Sequence, residues 1–118
     1  PDDLKKTLPP FFGVLRKKGP RVPIMFVSPP CFWQTDFVPS TLRDLEDKRD
    51  HMMAFYSARR SAGDTNVHFF DMFDVLHFAA NGAYVDGVHP TDEGFQLMAR
   101  GLAPALERIL LRDTETGN

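Results

Sequence analysis

Two short apolar runs restrict what this chain can fold into. Val22-Pro23-Ile24-Met25-Phe26-Val27-Ser28 is compact and stopped by Pro29-Pro30, and Val67-His68-Phe69-Phe70 follows the turn signal Gly63-Asp64-Thr65-Asn66. Apolar runs of this length, without polar alternation, suit strands buried on both faces of a parallel sheet. Parallel neighbours need a long crossover, and the residues between the runs carry a helical pattern that supplies one. Leu42, Leu45, Met52, Phe55 and Tyr56 mark one face of a helix over 41–61, with Ser40 as its expected N-cap.

Helical spacing recurs on either side. Leu4, Leu8, Phe11, Phe12 and Leu15 predict a helix that ends near Gly19-Pro20, and Pro9-Pro10 is expected to break it or to start a fresh one. Thr91 is placed to cap a final helix, with Asp92 and Glu93 in a first turn where the helix dipole favours negative charge. Phe95, Met98, Leu102, Leu106 and Ile109 mark its expected apolar face, and Pro104 should kink or divide it. The order helix, strand, loop, helix, strand, loop, helix is that of an α/β layered fold.

Composition narrows the function. The 118 residues fit one folding unit or part of one, and 42% apolar with 25% charged residues is ordinary for a chain that packs a core. A net charge of −2 offers no basic field for nucleic acid, and Arg16-Lys17-Lys18 reads as a solvated helix end. The single cysteine, Cys31, excludes an intramolecular disulfide and a cysteine metal cluster. No apolar stretch approaches the roughly 18 to 20 residues needed to span a bilayer. The chain opens at Pro1 in polar helical material, so its N-terminus reads as cut or processed.

The chemistry concentrates in Val85-Asp86-Gly87-Val88-His89-Pro90. An imidazole becomes a useful general base when a carboxylate accepts a hydrogen bond from its Nδ1, fixing the tautomer and stabilising the imidazolium. Asp86 and His89 can meet in this way on one tight loop, with Gly87 supplying backbone freedom and Pro90 stiffening the exit. Taken alone, the four-residue pattern also fits a local turn with a capping carboxylate.

The longer string Tyr84-Val85-Asp86-Gly87-Val88-His89-Pro90-Thr91-Asp92-Glu93-Gly94-Phe95, followed by Met98-Ala99, closely resembles the last sequence block of SGNH (GDSL-type) hydrolases. The strand Pro23 to Ser28 with its Pro-rich exit, and the strand Val67 to Phe70, fit the same family. The resemblance implies a flavodoxin-like three-layer α/β/α sandwich with a parallel sheet, and hydrolysis of esters in small-molecule, lipid or carbohydrate substrates without a cofactor. It implies that Asp86 orients His89, and that His89 takes the proton from a nucleophilic serine. The family's Gly-Asp-Ser-like block and its oxyanion-hole glycine and asparagine blocks have no counterpart here. Residues 1–118 are therefore expected to be the C-terminal portion of a single hydrolase domain, with the serine supplied by an upstream segment or a partner chain.

Other residues give weaker readings. Ser28 precedes Asp86 and His89 in triad order, but no Gly-x-Ser-x-Gly elbow surrounds it and Pro29 has no N–H for an oxyanion. Ser57 and Ser61 lie in helical material. Cys31, between prolines and aromatics, reads as a small buried hydrophobe. His51, His68 and His77 read as surface or packing residues. Phe32, Trp33 and Phe37 could form a core edge or the wall of an acyl pocket. Two rivals remain: a pseudo-hydrolase or interaction module whose dyad has no serine to activate, and a metal-dependent hydrolase using His77, Asp86 and His89.

Overall fold

A computed structural model describes residues 2–31, 38–76 and 82–116. Its elements run α1 (Asp2–Lys18), β1 (Ile24–Val27), α2 (Pro39–Ser61), β2 (Val67–Phe70) and α3 (Asp92–Thr116). The two strands pair in parallel, with Ile24 opposite Val67 and Val27 opposite Phe70. Alternate residues of a strand point to opposite faces, so each strand divides its side chains between two layers.

One face carries Ile24 and Phe26 of β1 with Val67 and Phe69 of β2, and α1 and α2 pack on it. Leu8 and Phe12 of α1 join Phe26 and Val67 in a buried cluster, with Met52, Phe55 and Tyr56 of α2 against it. The rings of Phe12, Phe26 and Phe55 lie 5.4 to 5.9 Å apart, two of the three pairs edge to face. That geometry sets positive ring edges against negative faces and adds to the area buried. On the other face Gly101 of α3 sits against the Phe70 ring, and Met25 and His68 line a groove with Ala105, Arg108 and Ile109 of α3 that also takes in Tyr56 and Phe69. The result is a helix, sheet and helix layering, the α/β arrangement with a parallel strand pair that the sequence predicts.

Several local expectations are corrected. Helix α1 runs unbroken through Pro9 and Pro10. Each proline removes a backbone donor, but Lys5, Lys6, Pro9 and Pro10 are all exposed, so the carbonyls left unpaired can be solvated. Helix α2 begins at Pro39 with Val38 as N-cap and no side-chain cap bond, so Ser40 lies inside the helix. Proline at the first helical position has no N–H to leave unsatisfied, which makes a side-chain cap less necessary. β1 is not buried on both faces: Phe26 is covered, while Val27 is exposed.

The last helix also differs from expectation. It is one run across Pro104, and that proline is exposed. Of the expected apolar face, Met98, Leu102 and Ile109 are partly buried, while Phe95 at 57% and Leu106 at 40% are exposed. The residues that approach the sheet and loops include Gly94, Gly101 and Ala105, whose lack of bulk lets the helix come close. A Cβ on Gly101 would lie 3.5 Å from the Phe70 ring.

Candidate active site

Residues 82–91 lead into α3 and form a closed loop. The Val85 N–H donates to His89 O at 2.8 Å, and Thr91 N–H donates to Ala83 O at 2.9 Å. Between them Tyr84 and Pro90 form an antiparallel bridge. Thr91 caps α3, its hydroxyl accepting from Gly94 N–H at 3.2 Å while donating to Gly82 O at 2.7 Å. Gly94 is indispensable to this packing: a Cβ there would collide with the Ala83 carbonyl and lie 3.0 Å from the Pro90 Cβ. Gly87 turns the loop at φ +85°, a left-handed conformation that other residues adopt only with strain.

The turn brings Asp86 and His89 together. His89 Nδ1 lies 2.7 Å from Asp86 Oδ2, and Asp86 Oδ1 accepts from the N–H groups of His89 at 2.8 Å and Val88 at 3.0 Å. These bonds hold the Asp86 carboxyl well below the usual carboxylate range, first through the His89 N–H, then the imidazole, then the Val88 N–H. An ionised Asp86 accepts only, so in the neutral imidazole Nδ1 is the nitrogen that carries the proton and Nε2 the one with the lone pair that a base requires. Both side chains stand at the surface, 77% exposed for His89 and 54% for Asp86.

Ser28 does different work. It is 2% exposed, and its hydroxyl donates to Asp71 Oδ1 at 2.9 Å while accepting from the Met72 and Phe73 N–H groups at 2.8 and 3.1 Å. With its proton committed to a carboxylate and both lone pairs engaged, it is a structural junction at the strand ends and not a nucleophile. Arg49 of α2 pairs with Asp71 Oδ2 through Nε at 2.8 Å and through a second guanidinium nitrogen. Burial raises the Asp71 carboxyl, and the bonds from Arg49, Ser28 and Phe73 outweigh it, leaving the carboxyl below its ordinary value.

Cys31 is buried, packed with Leu45 and Phe73, as the sequence suggests for a small hydrophobe. Its carbonyl accepts a 2.6 Å hydrogen bond from the Tyr84 hydroxyl, and its N–H donates to Phe73 O at 2.9 Å. Burial, with a smaller contribution from Cys31, pushes the Tyr84 phenol up to about 12, so it remains a donor at any physiological pH. Ser57 and Ser61 lie in α2. His51 and His68 are partly buried on α2 and β2. His77 and the aromatics Phe32, Trp33 and Phe37 lie outside the described residues. Among the described residues no group of three or more His, Cys, Asp or Glu is placed to hold a metal ion. No helix among them is long and apolar enough to cross a membrane.

Sequence reasoning did not find Arg49, Asp71, Tyr84 or Gly94. Only the last two carried any signal, since both stand within the block around Asp86 and His89.

A parallel strand pair between helical layers, followed by a loop that carries Asp86 and His89 into the last helix, is an α/β layered arrangement. The chain belongs to the GDSL-like lipase/acylhydrolase family, whose profile matches residues 1–107. A GDSL-like lipase from Bacteroides ovatus superimposes with a TM-score of 0.83 at 24% identity, over 92% of this chain and 32% of that one. The salicylyl-acyltransferase SsfX3 from a tetracycline biosynthetic pathway superimposes with a TM-score of 0.71 at 24% identity, over 87% of this chain and 32% of that one. The chain thus spans about a third of each structure, and the likeness is one of fold. No curated protein matches it.

Proposed function

We propose that residues 1–118 are the acid–base part of a serine ester hydrolase, forming the C-terminal portion of one SGNH-type domain. Asp86 orients the imidazole and His89 is the general base. The observation that carries this reading is the 2.7 Å Nδ1 to Oδ2 contact, on a loop whose sequence resembles the family's last block. Membership of the acylhydrolase family supports it.

The reaction follows from this geometry. Nε2 of His89 takes the proton of a serine hydroxyl as its oxygen attacks the ester carbonyl carbon, and the carbonyl electron pair moves onto oxygen. His89 then returns the proton to the leaving alcohol as the carbon–oxygen bond breaks, and a water repeats the sequence to free the acid. Ser28 is committed elsewhere, so the serine and oxyanion donors come from an upstream segment or a partner chain. The exposed Val27 beside the outer edge of β1 and the exposed Phe11 and Val14 of α1 offer apolar surface for that part to cover. Small-molecule or carbohydrate esters are the proposed substrates.

The test is hydrolysis of a short-chain aryl ester by residues 1–118 alone and after addition of the serine-bearing part. No turnover alone, with turnover restored on addition, is expected. Turnover by residues 1–118 alone would overturn the shared-site reading, and no turnover in the complemented protein would favour a pseudo-hydrolase.

A further inference from the structure

We propose that Tyr84 is a positioning residue for the Asp86–His89 pair, anchoring their loop to the exit of β1 through its hydrogen bond to the Cys31 carbonyl. This rests on the reading of His89 as a general base.

The bonds that join Asp86 to His89 are confined to residues 86–89. They fix the carboxylate and imidazole relative to each other, but not relative to the sheet on which a nucleophile must be presented. Tyr84 supplies that second constraint. Its backbone bridges Pro90, next to His89, so it sits at the base of the loop. Its hydroxyl reaches a carbonyl 53 residues away in sequence. That carbonyl belongs to Cys31, which is 1% exposed and bonded to Phe73, so the anchor point is itself fixed in the core. Gly94 lies against the same loop from the helix side, where a Cβ would meet the Ala83 carbonyl oxygen at 2.3 Å. The base of the loop is therefore held from two directions while its tip, with Asp86 and His89, stands exposed.

Removing the anchor should leave the Asp86–His89 bond intact and let the loop drift as a unit. Proton transfer is steep in geometry, and a displacement of about 1 Å can cost on the order of 100-fold in rate. The Tyr84 hydroxyl is engaged by the Cys31 carbonyl, so its loss is expected to act on kcat rather than on KM.

The experiment compares Tyr84→Phe with wild type in the complemented enzyme, using 4-nitrophenyl acetate and rates normalised to phosphonate-titrated sites. His89→Ala is run alongside. The expected result is a kcat lower by roughly 10- to 100-fold, a KM within about twofold, and an unchanged acid limb of the pH profile. Replacing Tyr84 by 3-fluorotyrosine, which keeps the donor, should restore kcat, and this holds the test open if Tyr84→Phe folds poorly. A wild-type kcat in Tyr84→Phe, with His89→Ala inactive, overturns the positioning role and leaves the catalytic reading standing. A shifted acid limb would place the effect on the imidazole itself and also overturn it. Full activity in His89→Ala would remove the catalytic reading, and the positioning role with it.

Discussion

The Asp86–His89 loop and the Ser28–Asp71 junction are both hydrogen-bonded carboxylate sites, yet they are built in opposite ways. In the loop, Asp86 draws its partners from residues two and three positions along the chain, and the pair stands in solvent. At the junction, Ser28 after β1 reaches Asp71, Met72 and Phe73 after β2, and Asp71 in turn accepts from Arg49 on α2, so segments far apart in sequence are joined through one buried hydroxyl and one carboxylate. A locally closed and exposed site is cheap to assemble and open to a substrate. A nonlocal and buried one exists only when the fold does. The difference teaches that a chemically competent serine is not a nucleophile if the fold has already used its hydrogen bonds.

The largest effect that could break this contrast is catalytic. In the complemented enzyme His89→Ala should lower kcat/KM by roughly 10³- to 10⁶-fold, and Asp86→Ala by less, because the imidazole can still accept a proton without its orienting partner. Steady-state ester hydrolysis checks it. Equal rates for His89→Ala and wild type would remove the imidazole from the chemistry. His89→Ala should not lower the urea midpoint by much, since its side chain is mostly exposed.

Ser28→Ala should behave in the reverse manner. It strips the acceptor from the buried Met72 N–H, while the Phe73 N–H keeps Asp71 Oδ1, and is expected to cost about 1–3 kcal/mol in urea unfolding with kcat of the folded fraction near wild type. A larger loss of kcat than of stability would bring Ser28 back into the site. Gly94→Ala is expected to cost about 1–3 kcal/mol by overpacking against Ala83 and Pro90, read in the same assay.

The contrast also accounts for what could be read from sequence. The Asp86–His89 geometry is legible because every group that makes it lies within four consecutive residues, and the strands are legible because short apolar runs, one bounded by prolines and one following a turn signal, have few alternatives. Arg49 and Asp71 are not, because nothing in the pattern of α2 or in the residue after β2 announces that they meet. The apolar face of α3 is legible only in part: Met98, Leu102 and Ile109 are partly buried, but periodicity counts large side chains, and close approach is made through Gly94 and Gly101 while Phe95 and Leu106 stay exposed. Pro9 and Pro10 were overweighted because a proline's cost depends on exposure, which the sequence does not print.

The smallest effect is on titration. The Asp86 carboxyl lies below its ordinary 3.8 in the folded loop. A depressed carboxyl contributes stability that is fully present above its unfolded value and is lost as pH falls through the folded one. The carbon-13 resonance of the Asp86 carboxyl should therefore show no midpoint near pH 4 and move only at lower pH. A midpoint near 4 would mean that the three bonds to His89 and Val88 do not persist in solution.

Covalent labelling tests the central claim most directly. The complemented enzyme, treated with a serine-directed fluorophosphonate and digested for mass spectrometry, should carry the label on a serine outside residues 1–118, at a rate that collapses in His89→Ala. Labelling of Ser28, or labelling that proceeds equally well without His89, would contradict the account.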